Sequence, residues 1–475
     1  MARNRVIYQS QALYIGPNST GYHLQTGGGE TGGTGDVADS RNWTAVTGFV
    51  SGPSAGFYQR SLVEPLHRIQ SANFNFTINR QDINEFGRLA RLDSIVMESP
   101  TVGLDFNYYL TDGGNERLLG FNIATTKAEK FGRNGSSATF QGSTGDGCIS
   151  GASAISGLIA DTQGNNYFIV TSKEGDDVQG DTISSTATDF DVISIGNGFI
   201  SDYSIDASVG AIPTASVTVE AFNIKVDDYI SGDANNSNAA DQNNFPLIPA
   251  VDEVNGEKQN NTIFMIQGKD NTETTLNTTG DFAGMISALR PGDITFAMSN
   301  SGNYQGFADF DGDGKCHIQS FSVSVPMSRT ILGRLGNTFG YARVIDLPMD
   351  VSVSISAVVS EMEKNNVFDA LAKTEKHDFT LTLAKANTST GGKGDTAMVI
   401  KVKGARLDSE SFSSAIGDNE TVDISFSTQV GGAQDTTNGI FMEGTYDRFR
   451  TINYWPLGAA KSTASKYTGA PTAPN

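Results

Sequence analysis

The sequence predicts a mainly β chain in which one homologous domain occurs twice, each copy carrying a short flanking helix. The first observation is a repeat. Residues 69–88 read IQSANFNFTINRQDINEFGR, and IQSFSVSVPMSRTILGRLGN begins 249 positions later at Ile318. Without a gap this offset sets Ile69, Gln70, Ser71, Arg80, Gly87 and Val102 on the identical Ile318, Gln319, Ser320, Arg329, Gly336 and Val351. A period near 250 is the size of a domain, not of a solenoid repeat. The second observation is strict alternation: Phe74, Phe76 and Ile78 share one face of an extended segment, as Val323, Val325 and Met327 do in the second copy. The third is composition. With 53 glycines, only 18% charged residues and abundant Ser, Thr and Asn, the chain favours strands joined by turns over helical bundles.

Taken in order, residues 6–15 read as a first strand, and TGGGETGGTGDV, residues 26–37, as a surface loop or arm that cannot bury a core. Strands follow at 73–78 and 102–110. Between them RQDINEFGRLARLD predicts a short helix or loop capped by Asp82, turning Ile83 and Phe86 inward. A short helical piece is expected around Leu118 and Leu119, matched by EMEKNNVFDALAK in the second copy. A Gly-, Ser- and Asp-rich insertion at 127–166 is peculiar to the first copy. Closing strands are expected at 167–170, 203–208 and 217–226 in the first copy, and at 379–383, 398–402 and 422–426 in the second. In 217–226 the apolar phase slips around Ala221, which suggests a bulge. The division is therefore a first domain over 1–226, a linker over 227–261, a second domain over 262–430, and a C-terminal arm or tail over 431–475.

The net charge of −20, from 53 acidic against 33 basic residues, repels phosphate and anionic membrane and argues against adhesive nucleic-acid binding. Cys148 and Cys316 occupy unmatched positions of the two copies and suggest no disulfide framework, as expected of a protein made in a reducing cytoplasm. The start MARNRVIYQSQALYIG has no apolar core of signal-peptide length, and no apolar run is long enough for a membrane anchor. A soluble protein not exported by a standard leader is expected. Asn-x-Ser/Thr triplets, as at Asn18 and Asn75, are what chance produces in this composition.

Little in the sequence carries chemistry. His23, His67, His317 and His377 are scattered, and no P-loop or zinc-type cysteine spacing occurs. GPSAG at 52–56 puts Ser54 where a hydrolase nucleophile would stand, but FYQRSLVEP follows in place of the helix that the nucleophile elbow requires. The string DFDGDGKC sets Asp309, Asp311 and Asp313 at alternate positions before Gly314, the opening of an EF-hand-like loop and a candidate calcium site. The closing bidentate Glu is missing, since Ser320 stands at its place, and an acidic hairpin turn is the alternative. No catalytic residue and no other cofactor is expected.

The repeated unit, above all IQSANFNFTINRQDINEFGRLARLDSIVMESPTVGLDFNYYL and later DYSIDASVGAIPTASVTVEAFNI, resembles the tail tube proteins (major tail proteins) of long-tailed bacteriophages. The similarity runs from about Ile69 to Val226 and, through the repeat, from about Ile318 to Val430. The resemblance implies a two-sheet β-barrel or β-sandwich with a flanking helix in each copy. It also implies a structural virion protein, made in the host cytoplasm, whose rings stack into a tube that conducts viral DNA without specific binding. The duplicated form implies three chains per pseudo-hexameric ring, with other tail proteins such as the tape measure and terminator as further partners. The Gly-rich loop, the 127–166 insertion and the C-terminal tail depart from the family pattern. The competing readings are another phage or surface adhesion component built of two β-sandwiches, and a hydrolase on a β-scaffold.

Overall fold

A computed structural model of the chain describes residues 11–17, 60–125, 153–159, 164–171, 189–230, 262–265, 289–299, 304, 306–308, 316–336, 339–340, 342–359, 375–386, 392–414, 419–432 and 435–445. The chain is mainly β. Its strands are β1 (Gln11–Pro17), β2 (Arg60–Pro65), β3 (Ile69–Thr77), β4 (Arg80–Ile83), β5 (Asp93–Val96), β6 (Thr101–Tyr109), β7 (Ile123–Thr125), β8 (Asn165–Thr171), β9 (Asp189–Ser208), β10 (Thr214–Ala221) and β11 (Asn223–Ile230). They continue as β12 (Thr262–Met265), β13 (Ile294–Met298), β14 (Cys316–Pro326), β15 (Arg329–Leu332), β16 (Ala342–Ile345), β17 (Asp350–Val359), β18 (His377–Ala386), β19 (Lys393–Ser413), β20 (Thr421–Gln429) and β21 (Gly439–Gly444). Among the described residues two short α-helices, α1 (Gly114–Leu119) and α2 (Ser156–Ile159), lie in the first half.

Seventeen strands belong to one hydrogen-bonded network, and β4–β5 and β15–β16 form separate two-stranded hairpins. The centre of the network is an antiparallel run in the order β3-β6-β10-β9-β14-β17-β20-β19. Apart from the end strand β3, its strands alternate. In β6, Val102, Leu104, Phe106 and Tyr108 are buried, and in β17 Val351, Val353, Ile355 and Ala357 are buried, with polar residues between them. The apolar face packs on flanking strands through Leu13 and Ile15 of β1, Tyr167 and Ile169 of β8, and Phe379 and Leu381 of β18, in one continuous core.

The pairing scheme of the first half recurs in the second. β4 and β5 stand at 80–83 and 93–96, and β15 and β16 stand 249 positions later at 329–332 and 342–345. The register of β3 on β6 shifts between Ile69 and Ser71, and that of β14 on β17 between Ile318 and Ser320. The shift of β8 on β9 between Asn165 and Tyr167 returns between His377 and Phe379 on β19. Both β9 and β19 are long and serve two sheets: the first halves pair with β8 or β18, the second halves with β10 or β20. The corner falls at Asn197 in β9 and at Gly404 in β19, each left-handed with φ of 56° and 71°. Asn and Gly are the residues that tolerate this conformation most readily.

Several local expectations are corrected. RQDI is strand β4, not a helix start, and Ile83 and Phe86 point to solvent, Phe86 being fully exposed at 107%. The hairpin turns at Gly87, whose φ of 95° favours a residue without Cβ, and this turn carries Phe86 out. The phase slip at Ala221 is a strand break. Phe222 donates its N–H to the Gly196 carbonyl (3.1 Å) and starts β11, which pairs with the other half of β9, and the bulge lies at Thr218/Val219 instead. Residues 227–230, read as the start of a linker, complete β11. The sequence reads as an arm from Gly431 onward, yet Gly439–Gly444 forms β21 on β19 and, in parallel, on β7. The Gly-rich run 26–37, the helix expected at 361–373 and the tail from 446 lie outside the described residues, as does most of the 127–166 insertion.

Candidate assembly interface

Opposite its core, the central run presents a face of small polar side chains. In β14 the alternate positions are Ser320, Ser322 and Ser324, and in β17 they are Ser352, Ser354 and Ser356. Acid charge comes from Asp105, Asp202, Asp206, Glu220, Asp350 and Asp423, with Arg406 as a base among the described strand positions of this face. Neighbouring strands are tied across it. Thr218 Oγ1 donates to Asp105 Oδ1 (2.8 Å) and Ser71 Oγ to Asn107 Oδ1 (2.9 Å). Partial burial raises the carboxyl of Asp202 above its ordinary value. Such a face repels phosphate. The alternate serines of IQSFSVSV and VSVSISAVV were its signal in the sequence, since a half-buried strand normally mixes long charged side chains into its outer face.

The two halves of the central run join head to tail. Residues 202–208 of β9 pair with 320–326 of β14, setting Tyr203 against Val325 and Ile205 against Val323. Here Val323, Val325 and Met327 are at most 1% exposed. The β15–β16 hairpin secures the joint from the side. The Arg343 guanidinium lies 3.9 Å from the ring centroid of Phe222 and donates to the Glu220 carbonyl (3.2 Å). Arg329 sits 4.9 Å from the Phe199 centroid and donates to the Leu158 carbonyl (2.9 Å). Both are cation–π contacts partly shielded from water, which strengthens them. A cavity of about 560 Å³ opens beside the joint, lined by apolar Phe296, Ile318 and Leu381 together with polar Ser208, His317 and Gln319.

The ends of the run are open. Among the described residues, no strand pairs the outer edge of β3, and none pairs residues 406–413 of β19 on the side away from β20. The positions that the joint buries in β14 are exposed in β3. Phe74, Phe76 and Ile78 stand at 42%, 60% and 40%, where Val323, Val325 and Met327 are covered. Nine residues of β3 carry no charge and no proline, the devices that normally blunt a free edge. At the other end Glu410 accepts the N–H groups of Phe307 (2.7 Å) and Ala308 (2.8 Å), and burial raises its carboxyl.

Under the central run, α1 is fixed by a buried acid. Glu116 Oε1 accepts the hydroxyls of Tyr108 (2.9 Å) and Tyr203 (3.3 Å), and burial pushes its carboxyl up to about 7. The candidate calcium ligands Asp309, Asp311 and Asp313 lie outside the described residues, as do Ser54, His23 and Cys148. The described histidines do not converge. His67 is kept neutral by burial and by Arg68, its pKa lowered to about 4, while His377 packs between Tyr304 and Phe426 and His317 is exposed on β14. Among the described residues no three His, Cys, Asp or Glu side chains are grouped to hold a metal. No described helix is long and apolar enough to cross a membrane. No protein-family model matches the chain, and no curated protein matches it.

Proposed function

We propose that the chain is a structural virion protein, the tail tube subunit of a long-tailed bacteriophage, in which a duplicated domain lets three molecules close a pseudo-hexameric ring. Rings stack into a tube, and the small polar, acidic face of the central run lines the channel through which viral DNA passes. No bond is made or broken. One observation carries this reading: an eight-strand run whose halves join head to tail, with a β3 edge left open at one end and a β19 edge at the other. Heterologous joints of this kind propagate until the rotation closes a ring, and closure removes both free edges. The matching register shifts of the two halves support the duplication, because two strand frameworks that bend at corresponding residues turn by similar angles. The acidic lining agrees with a conduit, since each lysine or arginine facing the channel would hold a phosphate and slow passage.

Negative-stain electron microscopy of the purified protein tests this. Rings or tubes with a central hole are expected. Dispersed monomers across assembly-promoting conditions would remove the reading.

A further inference from the structure

The in-chain joint contains a template for the contact between molecules. Within the central run every strand pairing of the first half recurs in the second, and among the described residues the β9–β14 pairing alone has no counterpart. What it lacks can be written residue by residue. Phe106 and Ile355, equivalent by the repeat, face Val217 and Ile424, and these in turn face Tyr203 and Glu410. Tyr203 therefore corresponds to Glu410, Ser204 to Ser411 and Ile205 to Phe412. On the other strand, Val323 and Val325 correspond to Phe74 and Phe76. The bulges agree as well, since β9 skips Ser201 opposite Thr218/Val219 and β19 skips Asp408 opposite Ser425/Phe426.

We propose that β3 of one molecule pairs antiparallel with residues 409–413 of β19 of a second copy, in the register Asn73↔Ser413, Phe74↔Phe412, Asn75↔Ser411, Phe76↔Glu410 and Thr77↔Ser409. This rests on the reading of the chain as a head-to-tail assembling subunit, and adds the partner residues and their register. The side chains fit it. Asn73, Asn75 and Thr77 meet Ser409, Ser411 and Ser413 and continue the small polar face across the joint. Phe74 and Phe412 meet on the core side as an aromatic cross-strand pair, and Phe76 closes over the carboxylate end held by Phe307 and Ala308. Glu410 is the single charged residue among these, so no like-charge pair opposes the pairing. The two joints of the assembly are thus unlike: aliphatic Val323 and Val325 within a chain, aromatic Phe74 and Phe76 between chains.

Cysteine pairing in a Cys148→Ser, Cys316→Ser background tests the register. Asn75→Cys with Ser411→Cys, both at exposed positions, is expected to give a ladder of covalent oligomers under mild oxidation. Ser204→Cys with Ser324→Cys, the same register inside the chain, loses its free thiols without a change in mass and shows that the chemistry works there. Asn73→Cys with Ser409→Cys, four residues out of register and so ~13 Å apart along the strand, stays unlinked. A ladder from that off-register pair, or from Asn75→Cys alone through two β3 edges, overturns the proposal. So does the absence of a ladder from Asn75→Cys/Ser411→Cys in protein that still forms rings by microscopy, a result that leaves the ring itself standing. Monomers with no ladder overturn both.

Discussion

Phe76 offers a direct way to weaken assembly without unfolding the subunit. Its ring is 60% exposed in the isolated chain, whereas Val325 at the equivalent position of the in-chain joint is at 0%. An aromatic side chain buries about 200 Å² when fully covered, so closing a joint over Phe76 removes ~120 Å² from water. At about 25 cal/mol per Å² this contributes roughly 3 kcal/mol per joint, or on the order of a hundredfold in the dissociation constant. Phe76→Ser should therefore assemble only at a concentration raised at least about a hundredfold, and more where a closed ring weakens at every joint together, measured by sedimentation velocity over a dilution series. Its urea midpoint as a monomer should stay close to that of the unaltered chain, because a side chain this exposed adds little to the subunit's own core. Val325→Ser is the contrast: the same polar substitution in the buried in-chain joint lowers the stability of the folded chain itself. Equal assembly of Phe76→Ser and the unaltered chain at every concentration would refute the argument.

Other consequences follow from the core. The Glu116 carboxyl is raised by burial to about 7 in the folded chain against 4.5 when free. A raised acid binds more protons folded than unfolded, so its contribution is favourable at low pH and is lost as pH rises from about 4.5 to about 7. Glu116→Gln removes that slope. Urea unfolding should show the variant's deficit relative to the unaltered chain to be about 2–3 kcal/mol larger at pH 5 than at pH 8, and an equal deficit at both pH values would contradict the burial argument. At the corner of β9, a Cβ on Gly198 would stand 2.7 Å from Tyr167 Cε2 and 2.8 Å from Val219 Cγ1. Gly198→Ala should cost about 1–3 kcal/mol by overpacking, read as a lower urea midpoint. An unchanged midpoint would show that the corner relaxes freely.

The strand framework was legible because each strand of the central run meets two different environments. Val351, Val353 and Ile355 must be apolar and Ser352 and Ser354 must not, so the period of two is written in the residues. The repeat was legible for the same reason, since matching core positions keep matching apolar residues. The β4–β5 hairpin was not, because it projects Ile83, Phe86, Leu89 and Ile95 into solvent and its pattern reports no core. Nor was β21 legible: Gly439–Gly444 takes its place from β19 and β7, strands far away in sequence. The joint of β9 with β14 was likewise hidden. Its two strands share only the complementarity of Tyr203 and Ile205 with Val325 and Val323, and such long-range pairing leaves no local periodicity. Only with that pairing in view can the open edge of β3 be set beside the covered edge of β14.

Averaged electron micrographs of the purified chain, viewed down the assembly axis, decide whether three molecules close a ring. Closed rings of three molecules around a central hole are expected, close to sixfold at the inner wall and threefold at the periphery. A field of single particles with no closed ring, at concentrations far above those at which the joint should form, would contradict it.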